Sequence, residues 1–282
     1  MKRLAAALVV VLALGGCSAV FGPSEHQVAL ADQLGRELRT FPGVDDAWAD
    51  YTAGLDQGDD LRAHVTVSSS VDASALTALA NDVRDAVDES GFVGSNRQVA
   101  FVFADGSTMD WYASHKERLD IDDLLQFFVT WWADPQVATL EVANTLDVTL
   151  DATVPSTDVG VIYEQLVDDY GDGPVSVSLP GGWGLHSEKY RFTDARLAMA
   201  AEVVVLPGLT DCGFSGVSFT GEKYHFDVGC KLADGVVSAD VAPLVNAVLD
   251  SHGMLDDTKV TVYSKAEGSV VSNDVGEVLA PS

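Results

Sequence analysis

The stretch Phe41-Pro42-Gly43-Val44-Asp45-Asp46-Ala47-Trp48-Ala49-Asp50-Tyr51 decides the fold. Upstream of it, Val28, Leu30, Ala31, Leu34 and Leu38 recur at helical spacing, which predicts a helix over 25–40. Pro42-Gly43 stops that helix. Beyond it Ala47, Ala49 and Tyr51 alternate with Asp46, Trp48 and Asp50, which predicts a strand over 44–53. The same junction returns as Leu206-Pro207-Gly208-Leu209, and Asp134-Pro135-Gln136-Val137 stands between the two. A helix-to-strand signal met three times in one chain points to an internal repeat.

Working outward, strands are expected over 61–67, 98–103 and 108–112, with a helix over 72–89 between the first two. The next stretch predicts a helix over 121–132, strands over 137–142 and 146–150, a helix over 157–170, a strand over 175–179 and a loop at Pro180-Gly181-Gly182-Trp183-Gly184. The third begins with a helix from Thr193 to about Val204. Its β-branched end, Val203-Val204-Val205-Leu206, also suits a strand. Strands over 212–219 and 223–230, a helix ending near 251 and a strand over 259–263 complete it. The expected class is α+β: three consecutive αββαβ units, each a small antiparallel or mixed sheet covered by two helices. Their bounds are 25–115, 116–190 and 191–265, and 266–282 is expected to be a flexible tail.

The Pro42-Gly43-Val44 junction and the element order are similar to those of small α/β domains of bacterial envelope proteins, such as the BON family, and of split ferredoxin-like folds. That resemblance implies binding or scaffolding at the envelope rather than catalysis.

The start of the chain supplies a location. Lys2-Arg3 precede an apolar run over 4–14, which is followed by Leu14-Gly15-Gly16-Cys17. The run is well short of the roughly 20 residues needed to span a bilayer. A basic segment, a short apolar segment and small residues read as an export signal. Leu14-Gly15-Gly16-Cys17 resembles the lipobox of bacterial lipoproteins. The resemblance implies cleavage before Cys17, a diacylglycerol on its sulfur, and membrane attachment on the extracytoplasmic face through lipid. Residues 1–16 are then the signal peptide and 17–24 a short tether.

The 282 residues carry 16 Lys and Arg against 43 Asp and Glu, a formal charge of −27. Such a surface excludes nucleic acid as a partner, because phosphate contacts demand a basic face. With Cys17 assigned to lipid, Cys212 and Cys230 form an even pair, and an oxidising location makes a disulfide the default. A three-residue turn, Thr220-Gly221-Glu222, predicts the register: Cys212 faces Cys230, Phe214 faces Val228 and Gly216 faces Phe226. This sets small Gly216 across from a large ring.

No other constellation carries chemistry. The histidines (His26, His64, His115, His186, His225, His252) lack metal-ligand spacing. His64 and His225 fall on the outer phase of comparable strands and read as part of a polar sheet face. Asp56, Asp59 and Asp60, and Asp168, Asp169 and Asp172, lack the order of a calcium loop and read as turn and cap residues. Gly216-Val217-Ser218-Phe219-Thr220 misses the nucleophile elbow at its last position. No catalytic residue, metal ligand or cofactor is therefore assigned. Phe127, Phe128, Trp131 and Trp132 cover more than one helical face. With Trp183 they form either an interaction surface or the seam between units.

The expected function is a non-catalytic, lipid-anchored envelope protein that binds or scaffolds an envelope protein or cell-wall partner. A cell-wall hydrolase and a solute- or ion-binding lipoprotein are the alternatives.

Overall fold

The first helix among the described residues, α1 (Glu25–Leu38), starts at a reciprocal cap. The Gln27 amide donates to Ser24 Oγ at 3.2 Å, and the Ser24 amide donates to Gln27 Oε1 at 3.0 Å. The computed structural model describes residues 23–54, 58–92, 96–112, 121–143, 145–171, 173–180, 183–187, 191–218, 224–264 and 269–272. The segment expected to be a leader, with Cys17, and the expected turn Thr220-Gly221-Glu222 lie outside the described residues, as do Asp56, His115 and Asp172.

Helix α1 buries Ala31, Leu34, Gly35 and Leu38, while Val28 is exposed, so the buried stripe is narrower than the one expected. Gly35 sets how close the helix comes to the sheet. A Cβ there would lie 2.9 Å from the Ala49 nitrogen and 3.1 Å from Trp48 Cα. Strand β1 (Val44–Gly54) thus has room beneath the helix only for small side chains, and Ala47 and Ala49 are the buried ones. Trp48 takes the opposite face. Tyr51 is buried farther along, and its hydroxyl accepts a 2.8 Å bond from Gln27 Nε2.

At the junction Gly43 has φ 89°, and a Cβ there would meet Val71 Cγ2 at 2.6 Å. Gly208 repeats this with φ 88° and a 2.9 Å approach to Val236 Cγ1. Both positions require glycine, for conformation and for space. The carbonyls of Gly43, Gln136 and Gly208 accept bonds from Ser68, Asp151 and Ala233 at 2.8, 2.7 and 2.9 Å. Gln136 reaches the same bond differently, with its amide held at 2.8 Å by Asp134 Oδ1.

The chain divides into two compact units, Met1–Gln126 and Phe127–Ser282, with the division inside helix α3 (Ile121–Trp132). In the first unit β1 pairs antiparallel with β2 (Gly58–Val67). Helix α2 (Ala73–Glu89), capped by Asp72 accepting from the Ala75 amide at 2.9 Å, crosses to β3 (Asn96–Val102), which runs parallel to β2. Strand β4 (Thr108–Tyr112) returns antiparallel. A parallel neighbour needs such a crossover, and the helix supplies it.

In the second unit the order is β5 (Val137–Val142), β6 (Leu146–Leu150), α4 (Val159–Tyr170), β7 (Val175–Leu179), β8 (Trp183–Ser187), α5 (Asp194–Val204), β9 (Leu209–Ser218), β10 (Tyr224–Leu232), α6 (Ser238–Ser251), β11 (Thr258–Ser264) and β12 (Ser269–Ser272). All eight strands pair with their neighbours in sequence order, antiparallel within each hairpin and parallel across each helix.

The class is α+β with mixed sheets, and four details depart from expectation. The first helix–strand–strand–helix–strand run carries the expected added strand β4, and the next two also carry a sixth element, β8 and β12, so the five-element unit is not what the chain builds. Residues 183–187, partly read as loop, form β8 because Trp183 and Leu185 alternate inward, a signal masked by the preceding glycines. The tail contains β12, which pairs with β11. The second unit also carries one continuous sheet rather than separate small ones, since the free backbone groups at the β8 edge are satisfied by β9.

In the β9–β10 hairpin the predicted register is present at Phe214 opposite Val228 and at Gly216 opposite Phe226, and it shifts between Gly229 and Lys231, beside the cysteines. Cys212 and Cys230 are joined, with Cα atoms 4.1 Å apart. Just beyond, Asp211 bulges out of β9 with φ 53°.

Candidate functional site

Each sheet has a helix-covered face and a face whose side chains are polar and partly exposed. In the second unit the inward set is Val175, Val177, Trp183, Leu185, Phe214, Phe226, Val228, Val260 and Val262, all buried. The period of two therefore puts Ser176, His186, Ser215, Asp227 and Lys259 outward. The pairings set these five side by side across β7, β8, β9, β10 and β11. The next row is Ser178, Gly184, Gly213, Gly229 and Thr261. Three glycines in line leave a trough of about 380 Å³ walled by the first row. A Cβ at Gly213 or Gly229 would meet nothing within 4 Å, so the trough is the space those side chains would fill.

The order across this row decides its chemistry. A Ser–His–Asp relay needs the imidazole between the other two groups. Here Ser215 stands between His186 and Asp227, which lie two strand spacings apart, about 9.6 Å. His186 and Asp227 are not hydrogen-bond partners at that spacing, so the row offers polar contacts without a nucleophilic relay.

In the first unit the outward rows are Trp48, His64, Ala100 and Asp110, then Asp50, Arg62, Gln98 and Tyr112. Trp48 remains 45% exposed, and its ring stacks on the His64 imidazole with centroids 5.2 Å apart and planes 11° apart. Gln98 Nε2 donates to Asp110 Oδ2 at 2.9 Å and to the Tyr112 hydroxyl at 3.0 Å. Burial pushes the Asp110 carboxyl above the usual carboxylate range, against the opposing pull of Gln98, Tyr112 and the nearby His64. A cleft of about 170 Å³ opens beside this network, lined by Asp60, Arg62, Asn96, Gln98 and Tyr112 among others. Asn96 Nδ2 donates to Asp60 Oδ1 at 2.8 Å.

The aromatic group singled out from sequence is largely interior. Phe127, Phe128, Trp131 and Trp183 are buried and Trp132 is half-buried. Phe127 packs on Tyr170 at 5.3 Å and Trp183 on Phe214 at 5.4 Å, and Trp131 Nε1 donates to Asp169 Oδ2 at 3.1 Å. Asp168 pairs with Arg191. Asp168 and Asp169 thus hold structural contacts, and no cluster of three or more metal-ligating side chains occurs among the described residues. His64 is on the outward face as its phase predicts, whereas His225 has no described side chain. Sequence reading passed over Trp48 as a site residue, although its phase, opposite Ala47 and Ala49, was already legible. It also passed over His186, because β8 was not recognised.

No family model matches the chain, and no curated protein matches it. Among solved structures, the crystal structure of a sex pheromone staph-cAM373 precursor aligns over 92% of this chain and 80% of that chain, at 10% identity and a TM-score of 0.22. A likeness at that score carries no argument about fold or function. No helix among the described residues is long and apolar enough to cross a membrane.

Proposed function

We propose that this chain is an exported protein, cleaved before Cys17 and held by lipid on the extracytoplasmic face of a bacterial membrane. There its folded region binds or scaffolds an envelope or cell-wall partner without catalysing a reaction. In this reading the region beyond the tether is three successive αββαββ copies. The second and third share one sheet. The leader supports the location: Lys2-Arg3, an apolar run too short to span, and Leu14-Gly15-Gly16-Cys17. The binding role rests on one observation, the polar, partly exposed sheet face opposite the helices.

Mass spectrometry of the full chain expressed in a bacterial host tests the anchor. A mature N-terminus at Cys17 with a diacylglyceryl mass is expected. Cys17→Ser should move the protein from the membrane to the soluble fraction. An unmodified Cys17, with both forms fractionating alike, would overturn the proposal.

A further inference from the structure

Trp48 is the largest exposed aromatic among the described residues, and its position is imposed from the other side of the sheet. Helix α1 approaches β1 so closely at Gly35 that the two inward positions beneath it, 47 and 49, hold only alanine, and the indole between them stands outward. Packing explains why it is outside but not why an indole is there, since a polar residue would satisfy the same constraint. His64 covers part of the ring, and nearly half of the side chain stays open. The imidazole also restricts the indole's freedom, so a ligand seated on it has less side-chain entropy to suppress.

The surroundings select the ligand. An apolar peptide would require further apolar neighbours, yet the adjoining row is Asp50, Arg62, Gln98 and Tyr112. These are carboxylate, guanidinium, amide and phenol groups, which pair with hydroxyls and acetamides in directed bonds. Asp46, Asp50 and Asp110 lie around the platform on a chain of charge −27, so a polyanion is repelled. The neighbouring cleft, at about 170 Å³, is smaller than the roughly 300–1,000 Å³ of a drug-sized pocket. It suits one ring or its substituents rather than a compact large molecule. A flat aromatic face beside short-reach polar groups matches a pyranose whose axial C–H bonds lie on one face and whose hydroxyls radiate from the rim.

We propose that the outer face of the first unit binds a neutral β-linked glycan, with one sugar ring stacked on Trp48 and its polar substituents held by the Asp50–Arg62–Gln98–Tyr112 row. The proposal rests on the envelope-binding reading only for where such a polymer is met. The two fail separately, because binding is measured on purified protein and anchoring on the mass of Cys17.

Calorimetric titration of the detergent-solubilised full chain tests it, with fully N-acetylated chitotetraose, cellotetraose and an anionic hyaluronan tetramer as probes. Saturable binding of at least one neutral tetramer is expected, and a preference for chitotetraose would place an acetamide in the contact. Trp48→Ala should weaken that binding about tenfold or more, Trp48→Phe by less, and Arg62→Ala by about threefold to tenfold. Both residues are exposed, so the variants should keep the wild-type circular dichroism. Failure of both neutral tetramers to bind would overturn the proposal, as would binding unaffected by Trp48→Ala. A stronger response to the anionic tetramer would overturn it too. So would Trp48-dependent self-association in sedimentation, which would make a second copy of the chain the occupant.

Discussion

Strand β1 in the first unit and strands β9–β10 in the second leave matching helix-to-strand junctions with opposite distributions of bulk. On β1 the inward side chains beneath Gly35 are Ala47 and Ala49, and the outward one between them is Trp48. On β9 and β10 the inward ones are Phe214 and Phe226, and the outward ones include Gly213 and Gly229. What packs on the inner face accounts for this. Gly35 lets α1 rest on the β1 backbone, whereas Phe192, just ahead of α5, packs edge-on to Phe226 with ring centroids 5.3 Å apart. The covering group governs how much volume the inner face must hold. The outer face is released from that demand, so one unit raises a platform where the other leaves a trough.

The largest effect expected from breaking this comparison is confined to the second unit. Replacing both Cys212 and Cys230 by alanine removes a bond spanning 18 residues, which should cost about 3 kcal/mol in the chain-entropy account. Hydrogen exchange should rise in β9 and β10 and stay unchanged in β1–β4. Uniform loss of protection across both units would refute that localisation.

Next in size is Gly35→Ala. Its Cβ would press on backbone, which cannot yield as a side chain can, and the strain of about 1–3 kcal/mol outweighs the roughly 1 kcal/mol gained in helix propensity. A lowered denaturation midpoint in urea is expected, and a raised one would show that α1 is not in close contact. The same chemical change at Gly229 should have the opposite sign. A Cβ there meets open space, so Gly229→Ala should stabilise the second unit by about 0.5–1 kcal/mol. Destabilisation would mean that the trough is occupied.

The smallest effect is pH-dependent. Burial raises the Asp110 carboxyl in the folded state, so folding favours its protonated form. That contribution is fully present below the unfolded value, near 3.9, and is lost as pH rises through the folded one. Asp110→Asn, which keeps an acceptor for Gln98 and carries no charge, should therefore match the wild-type melting temperature near pH 3 and exceed it at pH 7. An equal difference at both pH values would remove burial of the charge as the cause.

What the sequence disclosed was local. The phase of β1 followed from alternation alone, and it set Trp48 on the face opposite Ala47 and Ala49. The β9–β10 register followed from turn length and from the pairing of Gly216 with Phe226. Strand β8 was obscured because glycines at 181, 182 and 184 interrupt its pattern, and β12 because its four residues sit in a polar tail. The lateral joining of β8 to β9 has no local signal, since a parallel neighbour is chosen by a helix crossover and not by a turn. The rows of the two outward faces inherit that limit. His186, Ser215, Asp227 and Lys259 are each visible in the sequence, but their order depends on which strands adjoin.

The cross-strand bond has a further consequence in time. A hairpin closes in roughly 1–10 μs, whereas thiol oxidation takes seconds or longer. Both cysteines belong to one hairpin, so the pairing of Phe214 with Val228 and of Gly216 with Phe226 is complete long before the sulfurs react. Oxidation therefore acts as a record of a choice already made. A chain caught reduced should hold the same strand alignment, and an oxidant added late should trap the native partner and no other.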